Sequence, residues 1–477
     1  MKIPRLAQNS AIYTILMIFQ KGIGFVLLPL YTSYLSPTDY GIQAVVVSIS
    51  SFLSMLLAFD IDSAARRYYY KYNEDKNKAK TMYGTAAIVI LLNSFLLGGI
   101  TILLHNVIIT PFLGEVDFYP YVFLGLLFVL VNPLYLLYQS YLQTIQDGVT
   151  YGINSFIYTA LYICINILLL VYFKLGVLSI LYSQLIVAVV FFIYVSIRFL
   201  PTLKLGIDKP FLKEALKYSL PIIPHTLANW SNDTLDKLIV NKIRNAADTG
   251  IFGLAQQYSS VVSIASNAVN QAYLPWFMKQ ADKNEYQLIK DVAWVSFTII
   301  CLFALFFSLY AKEILGLMIS NPQYDDVYIL VPYLVFAYVF KTIYFYFVDV
   351  LYLKDTKVIF TITWTTVLFG IGANLILIPK IGIIGAAIAC TITFFVKSVM
   401  TLLISSQRNK KIRFDWVKMY LLAITCFAIV LYIIYFVEIY DSKIVMLIKS
   451  LMFSVLAILM IAANKKYVYH LKAFLKK

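Results

Sequence analysis

VFLGLLFVLV, from Val122 to Val131, sets ten residues in a row with no hydrogen-bonding side chain. A half-buried strand alternates polar and apolar residues, and a surface helix shows a polar face every turn; this run does neither. A hydrocarbon core of about 30 Å takes roughly 20 apolar helical residues at about 1.5 Å each. Only a helix or a closed barrel satisfies its backbone in lipid, and barrel strands are half as long and alternate. The run therefore reads as a membrane-spanning helix, near 120–142. Thirteen similar stretches fill the rest of the 477 residues, near 10–33, 41–59, 84–104, 152–173, 177–197, 217–241, 250–277, 291–310, 327–350, 358–378, 381–405, 415–437 and 444–462. The fold class expected is an all-α integral membrane protein of about fourteen helices.

Charge sets the orientation, because Lys and Arg collect on the cytoplasmic side of short loops. With the N-terminus inside, 27 of the 39 Lys and Arg residues fall in cytoplasmic segments and 6 in outer loops. Both termini are therefore expected in the cytoplasm. The formal net charge of +15 is then topology and contact with anionic lipid, not a nucleic-acid surface. The first apolar run lacks a small-residue cleavage site and is expected to stay as an uncleaved signal anchor. Cys164, Cys301, Cys390 and Cys426 fall in four different spans, which predicts buried thiol packing and neither a metal site nor a disulfide pair.

YLSPTDYGI (Tyr34 to Ile42) is echoed by NAADTGIF (Asn245 to Phe252), aligning Asp39-Tyr40-Gly41 with Asp248-Thr249-Gly250 at an offset of 209. Asp147-Gly148 matches Asp355-Thr356 at 208, and Lys174-Leu175-Gly176-Val177 matches Lys380-Ile381-Gly382-Ile383 at 206. Three ordered matches at nearly one offset predict a duplication. Six spans lie within the offset, so both copies keep one membrane orientation, giving an N-lobe over 1–205, a C-lobe over 206–406, and two further helices with a basic tail over 407–477. Such repeats are transporter architecture, with the substrate expected at their interface. Gly382 with Ala386, and Gly385 with Ala389, predict close helix packing on the twelfth span.

Polar residues inside spans point to function, since a lipid-facing helix does not tolerate them. The eighth span carries Gln256, Ser260, Ser263, Asn267 and Asn270/Gln271 at helical spacing; the seventh carries His225, Asn229, Asn232 and Asp236, flanked by Asp233 and Lys237. Interhelical hydrogen bonding is the structural alternative to a water-filled cavity. Lys21 lies about 15 Å into its span, beyond the reach of snorkelling, and Lys341 is comparably deep. Both call for a cavity, a carboxylate or an anionic ligand. Asp233, Asp236 and Asp60 are candidate ion-coupling carboxylates, although Asp233 is also spaced to pair with Lys237 and Asp62 with Arg66. Pro221, Pro224 and Pro275 interrupt helix hydrogen bonds beside the polar stripes, as a gate or as a fixed kink. Lys397 and Asp349 stand alone and carry no assignment. Most of the 38 Tyr and 34 Phe residues are expected at membrane interfaces or in packing.

AQNSAIYTILMIFQKGIGFVLLPLYTSYLSPTDYG at the start, GIQAVVVSISSFLSMLLAFDIDSAARRYY after it, SLPIIPHTLANWSNDTLDKLIVNKI, QAYLPWF and PKIGIIGAAIA occur in an order that resembles the polysaccharide-transporter and O-antigen flippase branch of the multidrug/oligosaccharidyl-lipid/polysaccharide exporter superfamily. The resemblance covers essentially the whole chain. It implies a flippase, not an enzyme, that moves a lipid-linked oligosaccharide, usually on undecaprenyl diphosphate, between leaflets by alternating access, for O-antigen, capsule or exopolysaccharide synthesis. It implies membrane lipid as surroundings, a polysaccharide polymerase and a chain-length regulator as candidate partners, a monomer, and no cofactor. Lys21 falls where related lipid II flippases place a cavity arginine, while LQTIQDGV lacks the basic residue such proteins often carry between the fourth and fifth spans. The rivals are an ion-coupled multidrug antiporter, which would favour an acidic cavity, a lipid II flippase of the same superfamily, a membrane-embedded glycosyltransferase or polymerase, and a scaffold protein. The outer loops at 105–119 and 311–326 are too short for a catalytic domain, and no GxxxxGK[ST] loop is present.

Overall fold

A computed structural model describes residues 5–71, 75–353, 356–409, 411–437 and 442–475, with the side chains of 5–8, 10, 11, 14, 17, 18, 21, 58, 76, 442 and 468–475 not described. Among the described residues the regular structure is helical. It divides into two compact units, Met1–Gly250 and Ile251–Lys477.

The first unit holds α1 (Arg5–Val26), α2 (Leu28–Tyr34), α3 (Pro37–Ala58), α4 (Ile61–Lys71), α5 (Lys76–Leu103), α6 (His105–Ile108), α7 (Phe123–Thr144), α8 (Gly148–Ile167), α9 (Val177–Arg198), α10 (Lys209–Ser219) and α11 (Ile223–Ile243), and it ends in the first turn of α12 (Ala246–Asp282). The second holds the rest of α12, then α13 (Tyr286–Leu309), α14 (Ala311–Met318), α15 (Val327–Tyr352), α16 (Thr356–Ile381), α17 (Ile383–Arg408), α18 (Trp416–Tyr432) and α19 (Ser442–Leu475).

Among the described residues, eleven helical segments are long and apolar enough to cross a membrane. The three expected spans outside that set coincide with helices all the same: α1 with α2, α10 with α11, and α12. On α11 and α12 the Asn, Asp, Gln and Ser residues already named bring the hydropathy down. The seventh span, expected to be continuous over 217–241, is broken: α10 ends at Ser219 and α11 begins at Ile223, with Pro221 in the gap.

The sequence motifs prove to be helix starts. Ser36 caps α3, its Oγ accepting from the Asp39 N–H (3.2 Å) while Asp39 Oδ2 accepts from the Ser36 N–H (2.9 Å), and Pro37 occupies the first turn, where its missing N–H costs nothing. At the same place in the second motif, Asn245 Oδ1 accepts from the Asp248 N–H at 2.7 Å. Gly41 and Gly250 pack reciprocally: a Cβ on Gly41 would overlap the Ala246 carbonyl, and one on Gly250 the Pro37 carbonyl. Gly176 (φ 56°, ψ −135°) and Gly382 (φ 65°, ψ −147°) start α9 and α17 in one backbone conformation, which L side chains rarely adopt. Asp147 Oδ1 accepts from the Thr150 N–H at 3.1 Å to start α8; its expected counterpart Asp355 lies outside the described residues.

In the first unit α7 packs against α3, α5 and α9, around Leu134, Val187, Phe191 and Tyr83 at one end and Val45, Val122 and Val129 at the other. In the second, α15 is buried on nearly every side and lies along α17 and α13. The close packing expected on the twelfth span is seen where Gly385 meets the Leu377 carbonyl of α16, and Ala386 and Ala389 are buried. One expectation is corrected: Cys301, Cys390 and Cys426 are buried, but Cys164 is exposed on the uncovered side of α8.

Candidate functional site

On α11, Asn229 Nδ2 lies 3.3 Å from His225 Nε2, and Asn232 Nδ2 donates to the Ala228 carbonyl at 3.0 Å. These bonds run along the helix, so the amides do not glue it to a neighbour. Trp230 does that, its Nε1 donating to Ser51 Oγ of α3 (3.0 Å) and its ring packing 5.0 Å from Phe52. Asn229 and Asp233 are exposed, and Asp236 and Lys237 half-buried. The Asp236 and Asp233 carboxylates both act on the Lys237 charge. Pro221 occupies the α10–α11 gap, Pro224 the first turn of α11 where no helix bond is lost, and Pro275 the interior of α12.

Lys21 lies on α1, its side chain outside those described; the preceding Gln20 donates through Nε2 to Thr159 Oγ1 of α8 at 3.4 Å. Asp60 sits in the break between α3 and α4, where Phe59 (φ 47°) and Asp60 (φ 51°) both take the left-handed conformation. Its Oδ1 accepts from Ser63 Oγ at 2.7 Å, and the Ser219 hydroxyl at the end of α10 donates to the Asp60 carbonyl at 3.3 Å. Burial raises the Asp60 carboxyl above its ordinary range and Asp62 adds to that, against the opposing Ser63 hydrogen bond and Arg66 charge. Asp62 and Arg66 form the expected i,i+4 pair at 3.2 Å.

The α12 stripe divides. Ser266 Oγ and Thr342 Oγ1 of α15 share a hydrogen bond of 2.7 Å, and Ser259 Oγ donates to the Val331 carbonyl at 3.5 Å; these two, unnoticed in the sequence, are interhelical bonds. Ser263 and Gln256 are buried, and Asn267 Nδ2 donates to Ser263 Oγ at 3.4 Å along the helix.

Lys341 is half-buried on α15, its Nζ 5.9 Å from the Tyr338 ring centroid and 5.5 Å from that of Phe394 on α17. Lys397 of α17, unassigned in the sequence, is 5% exposed with its Nζ 4.7 Å from the centre of the Tyr344 ring. An aromatic face offers a cation electrostatic attraction without binding its N–H groups. Two lysines thus rest on aromatic rings inside one helix pair. Their only sequence signal was charge in an apolar run.

The first unit holds a neutral network that the sequence did not reveal. Gln139 Nε2 donates to the Tyr135 hydroxyl (2.7 Å) and to Ser155 Oγ (2.8 Å), Tyr158 donates to Asn132 Oδ1 (3.3 Å), and the Tyr135 and Tyr158 rings stack at 4.7 Å.

A chain of membrane-length helices with cations and amides inside its spans has the construction of a multi-pass membrane protein. The sequence profile of the polysaccharide biosynthesis protein family matches residues 6–281, more than half the chain, and the chain belongs to that family. A protein of the lsg locus of Haemophilus influenzae is 23% identical over 415 residues, covering 82% of this chain and 98% of its own. Among solved structures, the lipid II flippase MurJ in an inward closed conformation matches with a TM-score of 0.71 at 16% identity, covering 96% of this chain and 99% of MurJ. An inward-facing multidrug resistance transporter of the MATE family matches with a TM-score of 0.61 at 15% identity, covering 84% and 98%. At such identities the likeness is one of fold.

Proposed function

We propose that the protein is a flippase for a lipid-linked oligosaccharide of the undecaprenyl diphosphate type, carrying the repeat unit from the inner to the outer leaflet of the bacterial inner membrane by alternating access. The observation that carries this reading is the pair of lysines, Lys341 and Lys397, held on aromatic faces inside the α15–α17 helix pair of a polysaccharide biosynthesis family member. A diphosphate needs cationic partners away from bulk water, and lysine supplies them. Sugars need hydrogen-bonding faces, which Asn229, Asn232, Gln256, Ser263 and Asn267 offer, with Lys21 as a third cation.

The reading keeps fourteen spans, counting the three polar helices with the eleven apolar ones, and two six-span copies over 1–205 and 206–406, followed by 407–477. Both termini are cytoplasmic in it, and Asp233, Asp236 and Asp60 remain its first candidates for ion coupling. O-antigen, capsule and exopolysaccharide are the glycans it covers, with polymerase and chain-length regulator as neighbours in the pathway.

Transport of a fluorescent lipid-linked oligosaccharide into the far leaflet of proteoliposomes tests it. Wild type should move the probe, Lys341→Gln should impair movement at normal protein abundance, and Lys341→Arg should rescue more than Gln. Full activity of Lys341→Gln combined with Lys21→Gln would remove the cationic site. Reporter fusions after Lys78, Lys209 and Arg413 should read cytoplasmic, and those after Gly114 and Gln323 external.

A further inference from the structure

Asp349 lies near the end of α15, two helical turns beyond Lys341. It is fully buried, and neither carboxylate oxygen has a hydrogen-bond partner among the described residues. Val348, Leu351, Ile359 and Ile362 form an apolar cluster at this end of α15 and α16, with Met400 and Ile404 of α17 packed against it. The ionisable groups whose charges Asp349 affects are phenols: Tyr273 of α12 and Tyr344, Tyr346 and Tyr352 of α15. Two of these hydroxyls are engaged elsewhere, Tyr273 donating to the Ile289 carbonyl at 3.5 Å and Tyr346 sharing a hydrogen bond with Ser296 Oγ at 2.8 Å. On the packed helices, Lys397 of α17 holds its Nζ over Tyr344, Asp291 of α13 accepts from Gln287 Nε2 at 2.8 Å, and Lys341 lies against Tyr338 and Phe394. Among the described residues no cation is hydrogen-bonded to Asp349.

An ionised carboxylate in such a place would be both desolvated and unpaired, which is the most unfavourable arrangement available to it. Taking up a proton removes the charge. Packing so dense would also exclude the waters that could otherwise solvate it. Acidic residues buried in membrane spans mark proton or ion pathways where they are not part of the structural glue, and among the described residues no hydrogen bond assigns Asp349 a structural part.

We propose that Asp349 is a proton-binding site: it holds a proton while buried in the second unit and releases it when α15 exposes it to water. Combined with the flippase reading, on which only its coupling role rests, this makes a proton the coupling ion and places its carrier on the helix that bears Lys341. Opening of this end of α15 to water ionises the carboxyl, and closing it again requires the proton to be regained. The proton and the anionic substrate then act on opposite charges of one helix.

Infrared spectroscopy of the full-length protein in lipid tests the site directly. Wild type at neutral pH should show a protonated carboxyl C=O band that moves on deuteration and on ¹³C-labelling of aspartate, and that disappears in Asp349→Asn. A spectrum without that band, or one unchanged in Asp349→Asn, overturns the proposal, and the labelled wild type decides the matter if the variant does not fold. In proteoliposomes, a pH gradient of one unit should shift the accumulation ratio of a lipid-linked oligosaccharide by about tenfold per proton coupled. Asp349→Asn should lose that shift. The band present with no oligosaccharide moved would leave the proton site standing and sink the flippase reading. Transport with a pH response identical in Asp349→Asn would do the reverse.

Discussion

The helix pair α7–α9 of the first unit and the pair α15–α17 of the second align at the offsets of the sequence motifs, yet the middle of one is neutral and that of the other charged. By the offset of 209 that relates Gly41 to Gly250, Asn132 and Tyr135 correspond to Lys341 and Tyr344; by the 206 that relates Gly176 to Gly382, Phe191 corresponds to Lys397. The contacts match as well. Tyr135 meets Phe191 edge-on at 5.0 Å, where Tyr344 carries the Lys397 ammonium at 4.7 Å. Aligned positions thus hold an aromatic pair in the first unit and a cation on an aromatic ring in the second. In lipid, where apolar burial gives helices little preference for one another, packing alone suffices to hold either pair together. On the flippase reading proposed above, the lysines serve the substrate and the packing serves the fold.

The largest effect expected from breaking this contrast is on transport. Lys341→Gln with Lys397→Gln should reduce flipping by about a hundredfold, as the loss of charge-assisted contacts worth roughly 1.5–3 kcal/mol implies. Asn132→Leu in the first unit should change it only a few-fold. Equal losses in the proteoliposome assay would erase the distinction between the pairs.

Where the copies are alike, substitutions should be alike. Gly41→Val and Gly250→Val each push a side chain into a backbone carbonyl of the other motif, so each should cost about 1–3 kcal/mol of overpacking strain. Thermal unfolding in detergent should show the two variants falling together, and a harmless change at either glycine would mean that the crossing of α3 and α12 is looser than their backbones indicate.

Lys397→Phe sharpens the comparison by converting the second pair into the first. An aromatic pair contributes about 0.5–1.5 kcal/mol, close to what the cation over the ring supplies, so the unfolding temperature should hardly move while transport falls. A large loss of stability would make Lys397 a structural residue.

The smallest effect concerns Asp60, in the first unit at the break between α3 and α4. Its folded carboxyl binds a proton more readily than the unfolded one, because burial raises it. The contribution to stability is then fully present below the unfolded value and is lost as pH rises through the folded one. Asp60→Asn should flatten that slope in a pH series of melting temperatures by a barely measurable amount, since the group is only half-buried. An unchanged slope would take Asp60 off the list of coupling carboxylates.

Helices and their order were legible because membrane spans are written in hydropathy, a local property of about twenty residues. The capping residues Ser36 and Asp39, the glycines that start α9 and α17, and the Asp62–Arg66 pair were equally local, each acting within four residues of itself. The paired motifs were visible too, since their matching needs only the sequence. The break at Pro221 was half visible: the proline was plain, but whether it would kink a helix or end it depended on what packed around it.

Tertiary structure alone decided what each interior polar residue meets. Ser259 and Ser266 bond to α15 while Asn267 bonds along its own helix, although all three are polar residues of one span. Likewise α10 and α11, which the repeat assigns to the second copy, lie in the first compact unit, where Trp230 binds α11 to α3. Lys397 and Asp349 looked alike in the sequence, single charges in apolar runs, and became different things once folded: a cation resting on Tyr344 and a carboxylate with no hydrogen-bond partner among the described residues. Hydropathy is a sum over one helix, whereas the cost of a buried charge depends on which atoms other helices bring to it.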